Sequence, residues 1–328
     1  MGILLVLVSA CGFGSGALFA KPVYASGLDW LTLLYWRFLI AAIVSWAWLL
    51  LLPPNRRALR RLSRRRVVVL LGLGVLYVGN SGTYFAGLET VSASLAALIV
   101  YIYPALVAVL ALRFGRRLEG RRPWFALGLA LVGVGLAVGG IDSSAAPPLS
   151  GLLLVVASPV IYAIWIVLSA RLAGERGTPR DPAPPEAMER PEETDPAPAA
   201  AIMMTGALAV YAVLAVSGGR PVLPADVPTG AWFGLLGVGL VATALAMQAF
   251  YAGTKRIGAA RAALISTVEP IYTITLATIL LGESLTPVQL LGGACVIVAV
   301  ILAETTPRPA ETTARPAILA PAEGSSGR

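Results

Sequence analysis

The sequence predicts an all-α integral membrane protein of ten transmembrane helices arranged as two inverted five-helix repeats. Three observations carry that expectation: the chain is too apolar for a soluble globule, its basic residues gather on alternate loops, and two stretches repeat one another with their loop charges exchanged.

Of the 328 residues, 57% are hydrophobic and only 13% charged, and the mean hydropathy is +0.80. The apolar residues come in blocks of about twenty, the length that crosses roughly 30 Å of hydrocarbon at about 1.5 Å per residue. These blocks predict helices over about 3–25, 30–52, 67–87, 91–112, 123–140, 150–170, 200–217, 230–253, 258–281 and 286–303. Val8-Ser9-Ala10-Cys11 loosely resembles a lipoprotein cleavage site, but nothing basic precedes Lys21. The first block therefore reads as a retained membrane helix rather than a secretory signal.

Arginines crowd the loop over 53–66, the loop over 113–122, and the segments around Arg171–Arg190 and Lys255–Arg261, all on one side of the predicted bundle. The opposite loops hold Asp29, Glu89, Asp142, Asp226 and Glu283, with Arg220 as their only base. By the positive-inside rule both termini are cytoplasmic. The net charge of +8 is thus a topology signal, and no nucleic-acid partner is expected. Residues 174–199 are dense in Pro and acids and read as a disordered cytoplasmic insertion, as does the tail over 305–328. The domain reading is a first repeat over 1–142 and a second over 143–304.

Tyr84–Pro104 lies without gaps over Phe250–Pro270, with Ala86/Ala252, Gly87/Gly253, Ala96/Ala262, Leu98/Leu264, Ile99/Ile265 and Pro104/Pro270 among the identities. At the first turn Leu88-Glu89-Thr90 aligns with Thr254-Lys255-Arg256. At the next turn the Arg-rich loop over 113–122 aligns with Leu281-Gly282-Glu283. Five helices per half is an odd number, so the second half enters the membrane upside down, and the exchanged charges fit that reversal. Inverted repeats commonly place a binding site at the bilayer midplane and move substrate by rocking one half against the other.

The chain has no histidine, and its two cysteines, Cys11 and Cys295, lie in separate apolar blocks. Most zinc sites, Ser/His/Asp triads and CxxC pairs are excluded on that ground. No phosphate-cradling glycine loop is present, and no cofactor is expected. An integral-membrane lipid-modifying enzyme would need a cluster of catalytic groups that the sequence does not offer.

Glu269 stands near the middle of the ninth predicted helix. An ionisable side chain at that depth costs on the order of 3 kcal/mol or more unless it meets a cavity or partner. It is the candidate proton-coupling group, against the plainer reading that it braces backbone freed by Pro270. Ser266, Glu269 and Thr273 share a helix face with Tyr272 beside them, and Tyr77, Asn80 or Ser81, and Tyr84 form a similar stripe on the third helix. Interhelical hydrogen bonding accounts for such stripes as well as substrate contact does. Tyr103 occupies the repeat position of Glu269, and Tyr101, Trp165 and Gln248 complete the candidate set. Arg37, about 10 Å into the second helix, can meet an anionic substrate group or a helix C-terminus; snorkelling suits Lys21. Gly12xxxGly16 and Gly230xxxGly234 fit close helix packing.

Several of these features resemble the EamA-like members of the drug/metabolite transporter superfamily. They are the Ala-Leu-Ile run ending in proline in each half, Glu269-Pro270 followed by Leu281-Gly282-Glu283 before Leu285-Thr286-Pro287, Gly292-Gly293, and Lys21 with Arg37. The resemblance spans about 5–303, excluding the insertion and the tail. It implies ten helices in two inverted repeats in the bacterial cytoplasmic (inner) membrane and transport of a metabolite, amino acid or drug, with a lipid-carrier flippase as the alternative on the same fold. The implied partners are a small-molecule substrate and membrane lipids, and both monomer and homodimer stay open. Where the second half has Gly282-Glu283 the first has Arg116-Arg117, so no role of that glutamate is carried across.

Overall fold

A computed structural model describes residues 1–103, 105–107, 110, 121–139, 146–172, 196–257, 265–266 and 268–304. The helices are α1 (Gly2–Ala25), α2 (Trp30–Leu51), α3 (Pro53–Arg60), α4 (Arg64–Leu88), α5 (Ala93–Val100), α6 (Arg122–Gly139), α7 (Leu149–Leu172) and α8 (Pro196–Ser217). They are followed by α9, continuous through Trp232–Leu236, Gly237–Leu245 and Ala246–Ile257, then α10 (Val268–Leu281) and α11 (Pro287–Glu304). No strand occurs among the described residues.

Six helical stretches are long and apolar enough to cross a membrane, within α1, α2, α4, α7, α8 and α9, and shorter apolar helices occur in α5, α6, α10 and α11. Their outward faces are apolar: Phe233 is 73% exposed, Ile279 69% and Val68 67%. Continuous exposed hydrocarbon of this kind suits a lipid environment and not water. The chain is a multi-pass membrane protein.

Local chemistry sets the helix ends. Asp29 caps α2, accepting from the Thr32 N–H at 3.0 Å and its hydroxyl at 2.6 Å. Ser63 and Ser92 cap α4 and α5 in the same way. Gly27 and Gly282 have φ of +87° and +67° just beyond α1 and α10, the left-handed conformation that closes a helix and that side chains disfavour.

The structure departs from the sequence expectation at three places. The Arg-rich loop contains α3, whose Pro53-Pro54 start occupies the helix positions that need no N–H partner. Helix α5 breaks after Val100, where Tyr101 and Ile102 form a turn before helical residues resume at 103 and 105–107. Helix α8 begins at Pro196, so residues 196–199, expected to be disordered, are helical. The remainder of the expected insertion, 174–195, and the tail over 305–328 lie outside the described residues.

The middle of α9, Gly237–Leu245, is π-helical. The Thr243 hydroxyl donates to Val238 O, five residues back, at 2.8 Å, bridging the widened turn. Small residues let neighbours close on this segment: a Cβ on Gly239 would stand 2.7 Å from Ile40 Cβ, and one on Gly12 2.9 Å from Ala246 Cβ. Gly234 likewise meets α1, whereas Gly230 faces open space, so only one member of that predicted pair serves in packing.

Helix neighbours follow a reciprocal pattern. Helix α4 packs on α7 and α8, and α9 packs on α1 and α2; α5 meets α7, and α10 meets α1. The pairs α2 with α8, α5 with α10 and α6 with α11 complete it. In the last pair Gly133 and Gly292 face each other, and a Cβ on Gly133 would lie 2.6 Å from Gly292 O. This is backbone-to-backbone packing of the kind small residues permit in membranes.

Candidate functional site

Arg37 lies two turns into α2 and is 7% exposed. Its Nε donates to the Thr243 hydroxyl at 2.9 Å, and its guanidinium lies 4.8 Å from the Phe85 ring centroid and 5.3 Å from that of Phe38. Cation–π contacts of this kind contribute about 1 kcal/mol each, less than the cost of a bare charge at membrane depth. A crevice opens beside it, with Phe13, Phe38, Tyr77, Trp165, Met203, Met204, Met247 and Thr243 among its walls.

From Phe38 a continuous path of rings runs across the interior. Phe38 meets Tyr77 at 6.2 Å between centroids, Tyr77 meets Trp165 at 5.3 Å, and Trp165 stacks on Tyr162 at 5.9 Å and 15°. Tyr162 then meets Tyr103 at 4.9 Å, and Tyr103 meets Tyr101 at 5.9 Å. The far end of the path is Glu269. The Tyr101 hydroxyl reaches Ser266 O at 2.6 Å and Glu269 Oε2 at 3.1 Å. The turn that ends α5 is what directs Tyr101 at the first turn of α10.

The remaining candidates divide between this path and the packing around it. Asn80 Oδ1 accepts from the Ser158 hydroxyl at 2.8 Å, fastening α4 to α7. Ser81 pairs with the Tyr211 hydroxyl at 2.8 Å. Tyr84 packs its ring on Phe85 at 5.2 Å. Tyr272 pairs with the Ser15 hydroxyl at 3.1 Å, and Thr273 donates to Gly14 O at 3.0 Å, so both hold α10 to α1. Trp165 lines the crevice while its indole N–H donates to Leu73 O at 2.7 Å. Gln248 Nε2 is a buried donor with no acceptor.

Sequence reasoning missed Phe38, Tyr162 and Thr243. Tyr162 stands three residues before Trp165, a one-face helical spacing that marks it; Thr243 carries no such signal, because its role depends on the π-helical turn.

One end of the bundle is tied by charged groups. Lys21 Nζ donates to Leu88 O at 2.8 Å and Val91 O at 2.6 Å, so it caps the C-terminus of α4 rather than snorkelling to water. Glu283 accepts from the Ala93 and Ser94 N–H groups, both at 2.8 Å, at the start of α5. Glu89 accepts from Trp30 N–H at 2.6 Å, and Asp29 pairs with Arg220 at 3.2 Å. Burial pushes the Glu89 carboxyl above its ordinary range, against the Trp30 bond that lowers it. Among the described residues no three metal-ligating side chains gather.

Bilayer-length helices enclosing a buried cation, an aromatic path and a carboxyl define an integral membrane protein with an internal polar site. Residues 1–139 and 187–305 match the EamA-like transporter family, and the chain belongs to that family, within the drug/metabolite transporter superfamily. An uncharacterized transporter of Archaeoglobus fulgidus is 26% identical over 92% of this chain and 96% of its own length. Uncharacterized transporter YcbK of Bacillus subtilis is 27% identical over 89% of this chain and 88% of its own. A protein of known crystal structure shares the fold, with a TM-score of 0.61 at 18% identity over 92% of this chain and 96% of that one. These matches indicate a transporter rather than an enzyme.

Proposed function

We propose that the chain is a secondary transporter that carries a small metabolite, amino acid or drug by alternating access. Its ten helices form two inverted five-helix repeats, 1–142 and 143–304, in the bacterial cytoplasmic membrane with both termini inside. The reciprocal helix pairing supports this reading, since exchanging each helix of one half for its counterpart in the other returns the main neighbour pairs, α4 on α7 and α8 against α9 on α1 and α2, and α5 on α7 against α10 on α1.

One observation carries the mechanism: the polar links of the site cross from one half to the other. Arg37 binds Thr243, Tyr101 binds Glu269 and Trp165 binds Leu73. Rocking the halves apart must break these links, and a substrate seated along the aromatic path replaces them. Arg37, Tyr77, Trp165 and Tyr103 line the substrate's path, Tyr84, Gln248, Tyr272 and Asn80 flank it, and Glu269 takes and releases a proton as the site changes sides. The test is a resistance and metabolite-efflux screen on cells overexpressing the chain. It is followed by uptake of the identified compound into liposomes with and without a pH gradient. Indistinguishable profiles in expressing and control cells reject the reading.

A further inference from the structure

Within the transport reading, on which this inference rests, the crevice beside Arg37 says what kind of molecule fits. A guanidinium stays protonated at any ordinary pH, so Arg37 cannot escape its burial by losing charge. Its Nε is engaged by Thr243, yet among the described residues no carboxylate pairs with it: the one ion pair there joins Arg220 to Asp29 at the end of the bundle. A neutral donor would hold the Thr243 hydroxyl equally well without bringing a charge into the membrane. The rest of the guanidinium fork is left for a ligand, and it lines the crevice.

The walls define the remainder of that ligand. Phe13, Phe38, Tyr77, Trp165 and Met247 are aromatic or polarisable, and among the described residues no acidic side chain lines the crevice. An ammonium group would therefore meet a cation and find no acceptor of opposite charge. We infer that the crevice, which encloses only about 30 Å³ in this structure and widens as the halves move apart, takes an amphipathic organic anion, a single carboxylate or phosphate head held by Arg37 on an aromatic or aliphatic body held by the rings and methionines. A planar fork suits either head through paired N–H···O bonds. Methionine walls accommodate bodies of varied shape.

The test uses the purified full chain and five probes with one common ring: phenylacetate, phenyl phosphate, phenylacetamide, 2-phenylethylamine and phenylalanine. Ligand-dependent thermal stabilisation reads binding independently of transport. At least one anion is expected to bind about tenfold or more tighter than the amide, amine and amino acid. The variant R37Q is expected to bring the anion to within about twofold of the amide. The variant T243V, which keeps the guanidinium and frees its Nε, is expected to retain anion preference, and its melting profile with that of R37K controls for misfolding. No stabilisation by either anion at about 10 mM, equal binding of the amide, or anion preference surviving in R37Q each overturns the inference. Liposome counterflow separates the two claims. Anions that bind without counterflow reject transport and leave the anion site standing, whereas counterflow of the amide with no anion preference rejects the anion site and leaves transport standing.

Discussion

The two ends of the aromatic path are built on opposite electrostatic designs. At one end Arg37 carries a permanent charge, tied by a single hydrogen bond to a hydroxyl and flanked by rings. At the other Glu269 can gain or lose a proton and is approached by a tyrosine hydroxyl. A fixed cation can only wait for an anion, while a carboxyl can alter its own charge as its surroundings change. On the proposed reading the first end recognises substrate and the second couples energy, and substitutions can pull the two apart.

The largest effect is expected at Glu269. The variant E269Q keeps the shape and the Tyr101 contact but cannot titrate, so pH-gradient-driven uptake should vanish while insertion in the membrane and binding at the Arg37 end persist. Unchanged gradient dependence would remove Glu269 from coupling. The variant Y101F tests the same end more gently. Losing a hydrogen bond to a charged group is worth about 1.5–3 kcal/mol, so gradient-driven uptake should fall about tenfold or more with binding intact. A parallel loss of binding would merge the two ends into one site.

Smaller effects lie off the path. The variant S158A removes the 2.8 Å bond to Asn80 and should lower stability by about 1 kcal/mol, seen as a modest fall in melting temperature with transport unchanged. A transport defect without a stability change would move Asn80 from packing to substrate contact. Deleting 178–195 should leave insertion and uptake at the level of the parent chain. Loss of uptake would give the insertion a role beyond connecting α7 to α8.

Membrane class, most helix positions and the polar candidates were legible because each rests on local information. Apolar length, loop charge and one-face spacing are properties of contiguous residues, and Tyr77 and Glu269 were singled out on those grounds alone. Division of labour among them was not legible. Asn80 and Tyr84 sit on the same stripe as Tyr77, yet Asn80 is engaged by Ser158, Tyr84 packs against Phe85, and only Tyr77 joins the ring path. Lys21 reads as a snorkelling cation until the end of α4 is seen to lie within its reach.

By itself the sequence determined that this chain lives in a bilayer, because twenty-residue apolar blocks with charges confined to loops have no other stable solvent. It also determined family membership, through the match to the EamA-like transporter family over residues 1–139 and 187–305. Tertiary structure alone decided that Tyr101 meets Glu269, that Arg37 meets Thr243 and, among the described residues, no acid, and that α9 widens into a π-helical turn at Thr243. Those facts depend on contacts between residues more than 160 positions apart. Helix packing chooses such contacts through the fit of small residues and rings, and no local pattern encodes that fit.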